Sequence, residues 1–243
     1  MDDKVTPYTS QKGSKKEQVE QMFDTISNEY DGLNRVISLG VDVKWRKKVV
    51  QIVTDRNPAT VLDIATGTGD LAIQIAQCAP KAQVIGLDIS NGMLDVGRKK
   101  INAAKLDHQI TMVQADSEAL PFENDHFDAI TVAFGVRNFE HLEKGLSEIL
   151  RVLKTGGIFV VLETAVPTKF PFKQGYTFYS NYILPTIGKL FSKDRHAYSY
   201  LSKSAAVFPH GERFNNILKK IGFTKVENMP QTFGVASIYK ASK

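Results

Sequence analysis

The chain has one cysteine, Cys78, and one tryptophan, Trp45, among 243 residues. A lone cysteine excludes an internal disulfide and any cysteine-rich zinc site. Its place in a helical pattern after a glycine loop reads as packing. The five histidines are far apart and none shows metal-ligand spacing, so no metal is expected. No apolar run approaches the roughly 20 residues that cross a bilayer. The opening Met1-Asp2-Asp3-Lys4 has no basic segment leading into an apolar one, so a secretory signal is not expected. A reducing cytoplasm is the expected location. Internal repeats and low-complexity tracts are absent too. Net charge is only +5, and its lysines and arginines fall in short runs (15–16, 44–48, 98–100 and 219–220). No aromatic-plus-basic RNA motif accompanies them, so nucleic acid is not expected as a partner. An anionic membrane surface stays in play, as peripheral contact from the cytoplasmic side. Oligomeric state, a homo-oligomer included, is left open.

What is present is organised around Val61-Leu62-Asp63-Ile64-Ala65-Thr66-Gly67-Thr68-Gly69-Asp70-Leu71. The apolar run 61–65 is too short for a helix and meets breakers at once, so it reads as a buried strand. Gly67 and Gly69 allow positive φ and let a ligand approach the backbone. Leu71, Ile73, Ile75 and Ala76 then fit one helical face, with the helix N-terminus aimed at the ligand. Gly67, Gly69 and Ala72 also fit the dinucleotide pattern G-x-G-x-x-G/A, so an NAD-dependent oxidoreductase is a rival reading. A pyrophosphate, however, would settle between the carboxylates of Asp63 and Asp70, a costly repulsion at low dielectric. S-adenosylmethionine carries an ammonium and a sulfonium instead and suits them better. A second strand, 84–88, ends in Asp88, placed to accept both hydroxyls of an adenosine ribose. Ser90 is the natural cap of the helix that follows.

The alternation continues with a helix over 91–105 (Met93, Leu94 and Val96 inward), a strand over 110–115, a strand over 127–134 and a helix over 142–153. Gly156-Gly157 is expected to turn the chain into a strand over 158–163. A helix over 211–221 and an edge hairpin of strands 223–228 and 235–239 close the pattern. Before the glycine loop, Val19, Met22, Phe23 and Ile26 give an amphipathic helix over 15–27, and a second helix runs over 42–55. Both are expected to lie over the ligand cleft. Strands alternating with helices predict an α/β fold with a parallel sheet. Residues 164–208 break the pattern and hold ten of the chain's 22 Phe and Tyr. This insertion is expected to wall an apolar pocket, or to form a small helical cap with its own satellite core.

Asp63-Ile64-Ala65-Thr66-Gly67-Thr68-Gly69 with Asp88 downstream resembles motif I of the class I S-adenosylmethionine-dependent methyltransferases. That resemblance implies a doubly wound, mostly parallel, seven-stranded sheet of Rossmann-like type. Two further stretches are similar to the signatures of the menaquinone/ubiquinone biosynthesis C-methyltransferase family. They are Tyr30-Asp31-x-x-Asn34-x-x-Ile37-Ser38 ending in Trp45, and Arg151-Val152-Leu153-Lys154-x-Gly156-Gly157 continuing to Leu162-Glu163. Phe134-Gly135-Val136-Arg137-Asn138 matches a block that the family carries after its fourth strand. The likeness spans residues 16–241. Leu33 stands for a usual Met, Asp42 for a His, Thr155 for a Pro and Ala165 for a Ser, and Ala133 lies where some members have a cofactor-touching Ser.

The family implies one domain over 1–243: a tail and helical lid (1–57), a cofactor-binding core (58–163), the aromatic insertion (164–208), and a last helix and edge hairpin (209–243). It implies methyl transfer from S-adenosylmethionine to a ring carbon of a polyprenylated lipid quinol. Demethylmenaquinol is the expected acceptor, with the benzoquinol of ubiquinone synthesis as the alternative. A non-catalytic RNA- or membrane-binding protein on the same fold is the rival of another class. Carried onto this chain, Gly67, Thr68 and Gly69 meet the methionine part, Asp63 its ammonium, Asp88 the ribose, and Asp116 with Ser117 the adenine. Arg137, Asn138 and Tyr30 are the expected catalytic residues. A guanidinium cannot serve as a base, so Arg137 is expected to stabilise a phenolate and orient the water that takes its proton.

Overall fold

A computed structural model describes residues 5–8, 13–183 and 195–243. The central strands are apolar at nearly every position, a pattern that asks for cover on both faces. They receive it in a seven-stranded sheet of order β3-β2-β1-β4-β5-β7-β6. The strands are β1 (Thr60–Ile64), β2 (Gln83–Asp88), β3 (Ile110–Gln114), β4 (Phe127–Ala133), β5 (Leu153–Thr164), β6 (Thr224–Gln231) and β7 (Ala236–Ser242). The first five pair in parallel, and β7 inserts antiparallel between β5 and β6. The expected edge hairpin is therefore present, with β6 outermost.

The helices described are α1 (Lys15–Ile26), α2 (Tyr30–Ile37), α3 (Asp42–Thr54), α4 (Asp70–Cys78), α5 (Asn91–Ala103), α6 (Leu142–Val152), α7 (Phe172–Phe178), α8 (Arg195–Val207) and α9 (Glu212–Ile221). Alternate residues of each strand serve opposite faces. Leu62, Ile130, Phe159 and Val161 pack with Leu146, Ile149, Phe214 and Leu218 of α6 and α9. Val61, Val84, Ala129 and Val160 pack with Val49, Val53 and Ile75 of α3 and α4. β1 and β4 are neighbours, yet their crossovers run to opposite sides, so the sheet opens a crevice at their carboxyl ends. All the candidate loops converge there.

Three local features depart from the sequence reading. β5 starts at Leu153, directly after α6, and Gly156-Gly157 sit inside the strand as a bulge against β4 rather than as a turn before it. Gly156 has φ +80°, and a Cβ on Gly157 would lie 2.8 Å from the Lys154 carbonyl oxygen. The stretch after α1, assigned to no element from sequence, is the helix α2. In α5 the inward position next to Met93 and Leu94 is filled by Gly97, while Val96 is only half-buried. A Cβ on Gly97 would meet Met112 at 2.2 Å and the Thr68 backbone at 3.3 Å, so α5 rests directly on the glycine loop.

The insertion serves both expected purposes. Ala197 and Tyr200 of α8 join Val19, Met22, Ile26 and Met93 in a satellite core beneath α1, while Tyr176 and Tyr179 line a cavity. Phe191 and the side chains of Leu33 and Tyr198 lie outside the described residues.

Gly135 follows β4 and abuts the end of β1. A Cβ there would sit 2.4 Å from Ala65 Cβ and 3.1 Å from Val132 Cγ1. Gly135→Ala should lower the unfolding free energy by about 1–3 kcal/mol, the usual cost of overpacking a filled site. Urea denaturation followed by circular dichroism measures it, and an unchanged midpoint would show that the β1–β4 junction has slack.

Candidate functional site

Two cavities open at the carboxyl ends of the strands. The first, about 690 Å³ with its open mouth, is lined by Tyr30, Gly67, Asp88, Asp116, Ser117, Phe134, Gly135 and Asn138, with Lys16, Val19 and Phe23 of α1 across it. The second, about 960 Å³, is lined by Tyr30, Asn34, Ser38, Asp42, Trp45, Arg46, Phe134, Arg137 and Thr164, and by Tyr176, Tyr179 and Leu201 of the insertion. Tyr30 and Phe134 line both, so they form a common wall.

The first cavity is shaped by the glycine loop. Ala65, Gly67 and Gly69 all have positive φ (51°, 58° and 79°), which folds the chain back between β1 and α4. A Cβ on Gly67 would meet nothing within 4 Å, so the backbone there is open to a ligand. Asp88, 7% exposed, is fixed by two backbone donors: Gly67 N–H to Oδ2 at 2.8 Å and Ser90 N–H to Oδ1 at 2.9 Å. Each oxygen keeps a lone pair for an incoming hydroxyl. Burial pushes its carboxyl up to about 6 in spite of those donors. Asp116 Oδ1 accepts from Glu118 N–H at 2.9 Å, and its Oδ2 pairs with Lys16 of α1 at 3.1 Å. Asp116 therefore turns the chain and fastens α1 at once.

Other expected residues shape the loop from below. Asp63, 1% exposed, accepts from the hydroxyls of Thr66 and Thr131 at 2.6 Å each, and burial pushes it up to about 6. It does not reach the cavity lining. The Thr68 hydroxyl donates to Asp31 at 2.6 Å and accepts from Lys100 at 3.0 Å. Lys100 also pairs with Asp31 and with Asp70. Asp70 is thus neutralised, and its expected pull on a cationic ligand is not what makes the site acidic. That quality comes from Asp88, Asp116, Glu118 and Glu140, which line the first cavity against the one cation Lys16. A pyrophosphate is again the misfit, and an uncharged ribose joined to a sulfonium is the fit.

Arg137 and Asn138 sit on the 3₁₀ turn Val136–Asn138 after β4, and the two side chains part. Asn138 lines the first cavity and accepts from the Tyr200 hydroxyl at 3.1 Å. Arg137 lines the second and pairs with Glu163 at the end of β5. Burial opposes the Arg137 charge, but the Glu163 carboxylate together with Tyr30 and Tyr200 outweighs it, raising the guanidinium above its ordinary value. Arg137 Nε and Glu163 Oε2 are both buried without a hydrogen-bond partner among the described residues. Burial likewise raises the Tyr30 phenol, which therefore stays neutral.

Sequence reasoning overlooked Phe134, held at φ +59° after β4, and Arg46 of α3. Arg46 lies over the Phe134 ring, 5.4 Å from its centroid, and pairs with Asp42 at 2.5 Å. Asp42, the departure from a usual His, has a firm polar role, since it also accepts from the Ser38 hydroxyl at 2.6 Å. The adjacency of Trp45 and Arg46 one turn after Asp42 was the signal available.

Sheet order, the open glycine loop and the acidic strand-end pocket define the class I S-adenosylmethionine-dependent methyltransferase fold. A SAM-dependent methyltransferase of Thermotoga maritima superposes with TM-score 0.64 at 18% identity, over 92% of this chain and 99% of that one. Another from Aquifex aeolicus gives 0.55 at 16%, over 79% and 88%. At such identities the likeness is one of fold. The model of the ubiE/COQ5 methyltransferase family matches residues 11–243, and the chain belongs to that family. A demethylmenaquinone methyltransferase of Bacteroides fragilis is 48% identical over 99% of this chain and 98% of its own length. One from Porphyromonas gingivalis is 42% identical over the same shares. A ubiquinone/menaquinone biosynthesis C-methyltransferase of Geobacter sulfurreducens is 44% identical over 100% and 94%.

Asp88 gives a pH prediction. Its folded value near 6 stands above the ordinary 3.8, so its contribution to the stability of the free protein is full below about 4 and is lost as pH rises through 6. A ligand that donates two hydroxyls favours the carboxylate, so affinity for S-adenosylhomocysteine should fall as pH drops through 6. Asp88→Asn should flatten that dependence and cost about 1.5–3 kcal/mol of binding at pH 8. Calorimetry across pH 5–8 checks both, and an equally steep curve in the variant would move the titration elsewhere.

Proposed function

We propose that the protein transfers a methyl group from S-adenosylmethionine to a ring carbon of demethylmenaquinol, giving menaquinol. The observation that carries this is the pair of cavities meeting at Tyr30 and Phe134. One is acidic and suited to a nucleoside; the other is largely apolar, with a buried guanidinium at its edge. The two relatives named demethylmenaquinone methyltransferases, at 48% and 42% identity, favour the naphthoquinol acceptor. In this reading residues 1–243 work as one domain, with α1 to α3 as its lid.

In the first cavity Asp88 would hold the ribose, Asp116 and Ser117 the adenine, and the open backbone at Gly67 the methionine part. Asp63, Thr68 and Gly69 act one layer below, by holding the loop in its left-handed turns. Bound S-adenosylmethionine would supply an electrophilic methyl on its sulfonium. The chain's own residues must then make the quinol carbon nucleophilic. Arg137, which lines this cavity, would donate to a quinol oxygen, and Glu163 behind it holds the guanidinium in place. A water oriented by Arg137 would take the proton, and the charge left on the oxygen would face a guanidinium that keeps its own proton. Tyr30, held neutral, would keep the ring against the shared wall, and Asn138 would act from the cofactor side of it. Phe134 excludes water from the approach.

The acceptor's tail needs an apolar exit. Phe170, Phe178, Tyr182 and Phe233 are 57–80% exposed around α7, beside Tyr176 and Tyr179 of the cavity wall. Lys169 and Lys173 sit among them. No described helix is long and apolar enough to cross a membrane. This patch would instead rest on the cytoplasmic face of an anionic bilayer, its aromatics at headgroup level and its lysines drawn by surface charge.

Two tests follow from this. Arg137→Ala alone strands the buried Glu163 charge, which costs about 3–5 kcal/mol of stability. The double variant Arg137→Gln/Glu163→Gln removes that imbalance. It should fold, keep S-adenosylhomocysteine affinity and lose about 10²-fold or more in turnover with a short-chain quinol. Near-normal turnover would reduce the pair to a structural role. Phe178→Ser/Phe233→Ser should weaken co-sedimentation with phosphatidylglycerol vesicles several-fold while leaving turnover on a tail-less quinol intact. Equal sedimentation of variant and parent would place the membrane contact on another face.

A further inference from the structure

The acceptor cavity holds a second guanidinium that phenolate stabilisation does not use. Arg46 projects from the second turn of α3 and its side chain is 12% exposed. One of its five N–H donors is engaged by Asp42 Oδ2 at 2.5 Å, and the others have no hydrogen-bond partner among the described residues. Asp42 is held in turn by the Ser38 hydroxyl, and the guanidinium is stacked on Phe134. An Arg fixed by a carboxylate and an aromatic face, with a free edge toward a cavity, is a built recognition group. Several other polar groups of that wall are already committed. The Tyr179 hydroxyl donates to the Ile37 carbonyl, Ser38 to Asp42, and Thr164 to Glu163. Arg46 of α3 and Arg137 of the turn after β4 line this cavity together with Tyr30.

We infer that Arg46 binds the second oxygen of a two-oxygen aromatic acceptor, the one para to the oxygen served by Arg137. This rests on the reading of the second cavity as the quinol site. The two oxygens have different chemistry. The attacked carbon is ortho to one oxygen and meta to the other, so charge on the ortho oxygen is conjugated onto that carbon and charge on the meta oxygen is not. A donor at the ortho oxygen therefore acts on the rate. A donor at the meta oxygen acts on binding, and decides which ring carbon faces the methyl group. Asp42 is its positioning residue: by engaging one edge of the guanidinium it turns the other toward the cavity.

The test compares 1,4-naphthalenediol with 1-naphthol under anaerobic, reducing conditions. Binding is read by calorimetry and by quenching of Trp45, the chain's single tryptophan, which lines the same cavity. The parent should bind the diol more tightly than the naphthol. Arg46→Gln should lose roughly 10- to 100-fold in diol affinity, the scale of one charge-assisted hydrogen bond, with naphthol affinity unchanged. Its KM for the diol should rise while kcat at saturation falls less than tenfold, and its S-adenosylhomocysteine affinity should match the parent's. Equal losses for both ligands, or a loss for neither, would overturn the assignment. If Arg46→Gln melts at the assay temperature, Arg46→Lys carries the test, since it keeps a cation beside Asp42 but not the fork. It should still lose diol selectivity several-fold, and full selectivity would overturn the assignment. A parent that neither binds nor methylates the diol would fail the quinol reading itself, an outcome separate from any variant's.

Discussion

The buried ion pair between Arg137 and Glu163 is the constraint that the site depends on. It ties the turn after β4 to the end of β5, and Glu163 is fully buried. Two charges taken out of water in this way give little net stability, because desolvation consumes most of their attraction. Removing one partner is another matter, since the remaining charge then has nothing to balance it. The pair therefore acts as a rule on local sequence: both members stay, or both go. It also leaves Nε and Oε2 without a hydrogen-bond partner among the described residues. An apolar pair could fill the same space at lower cost but could not set a guanidinium in the wall of the second cavity.

Helices α1 and α2 are fastened differently, by side-chain hydrogen bonds, ion pairs and a small core of their own. Lys15 donates to the carbonyls of Arg137 and Phe139 at 2.9 Å each, and Lys16 reaches Asp116. Asp31 of α2 is held to Lys100 and Thr68. The Lys16 pair is half exposed, and such bridges contribute about 0–1 kcal/mol each. The satellite core of Val19, Met22 and Ile26 against Met93 and Tyr200 gives the lid its resting place. Asp88 and the glycine loop, by contrast, are fixed by the sheet, through the Gly67 and Ser90 N–H groups.

Much of this was legible in the sequence, because it was carried by local patterns. Strands β1, β2 and β4 end within a residue or two of where their apolar runs end. Ser90 caps α5 by accepting from Met93 N–H at 3.1 Å, as a serine before a helical pattern should. The loop glycines announce their backbone conformation by lacking a side chain. What was not legible is pairwise and distant. Asp70 looked like a free carboxylate beside the loop, and only the fold brings Lys100 onto it from α5. Thr68 looked like a ligand contact, and its hydroxyl is engaged by Asp31 from the lid. Arg46 sat in a basic run that reads as a solvated helix face until α3 is packed against the end of β4. A bulge at Gly156-Gly157 and a turn there leave the same two glycines in the sequence. Only the register with β4 separates them.

The backbone at the shared wall shows why that wall is rigid. Ala65 and Phe134 both have positive φ, 51° and 59°, at the carboxyl ends of the adjacent strands β1 and β4. A left-handed conformation costs a residue with a Cβ about 1–2 kcal/mol, so the surroundings must over-determine it. They do so through Gly135, whose missing Cβ leaves just enough room for Ala65 Cβ, and through the Phe134 N–H, which donates to the Leu162 carbonyl at 2.7 Å. Turning Phe134 into the left-handed region swings its ring out of the strand's alternation and sets it between the two cavities. Arg46 lies over that ring and Trp45 packs at a tilt beside it, 6.3 Å between centroids. Strain in one backbone residue, accepted because a glycine follows it, thus places the wall that the two cavities share.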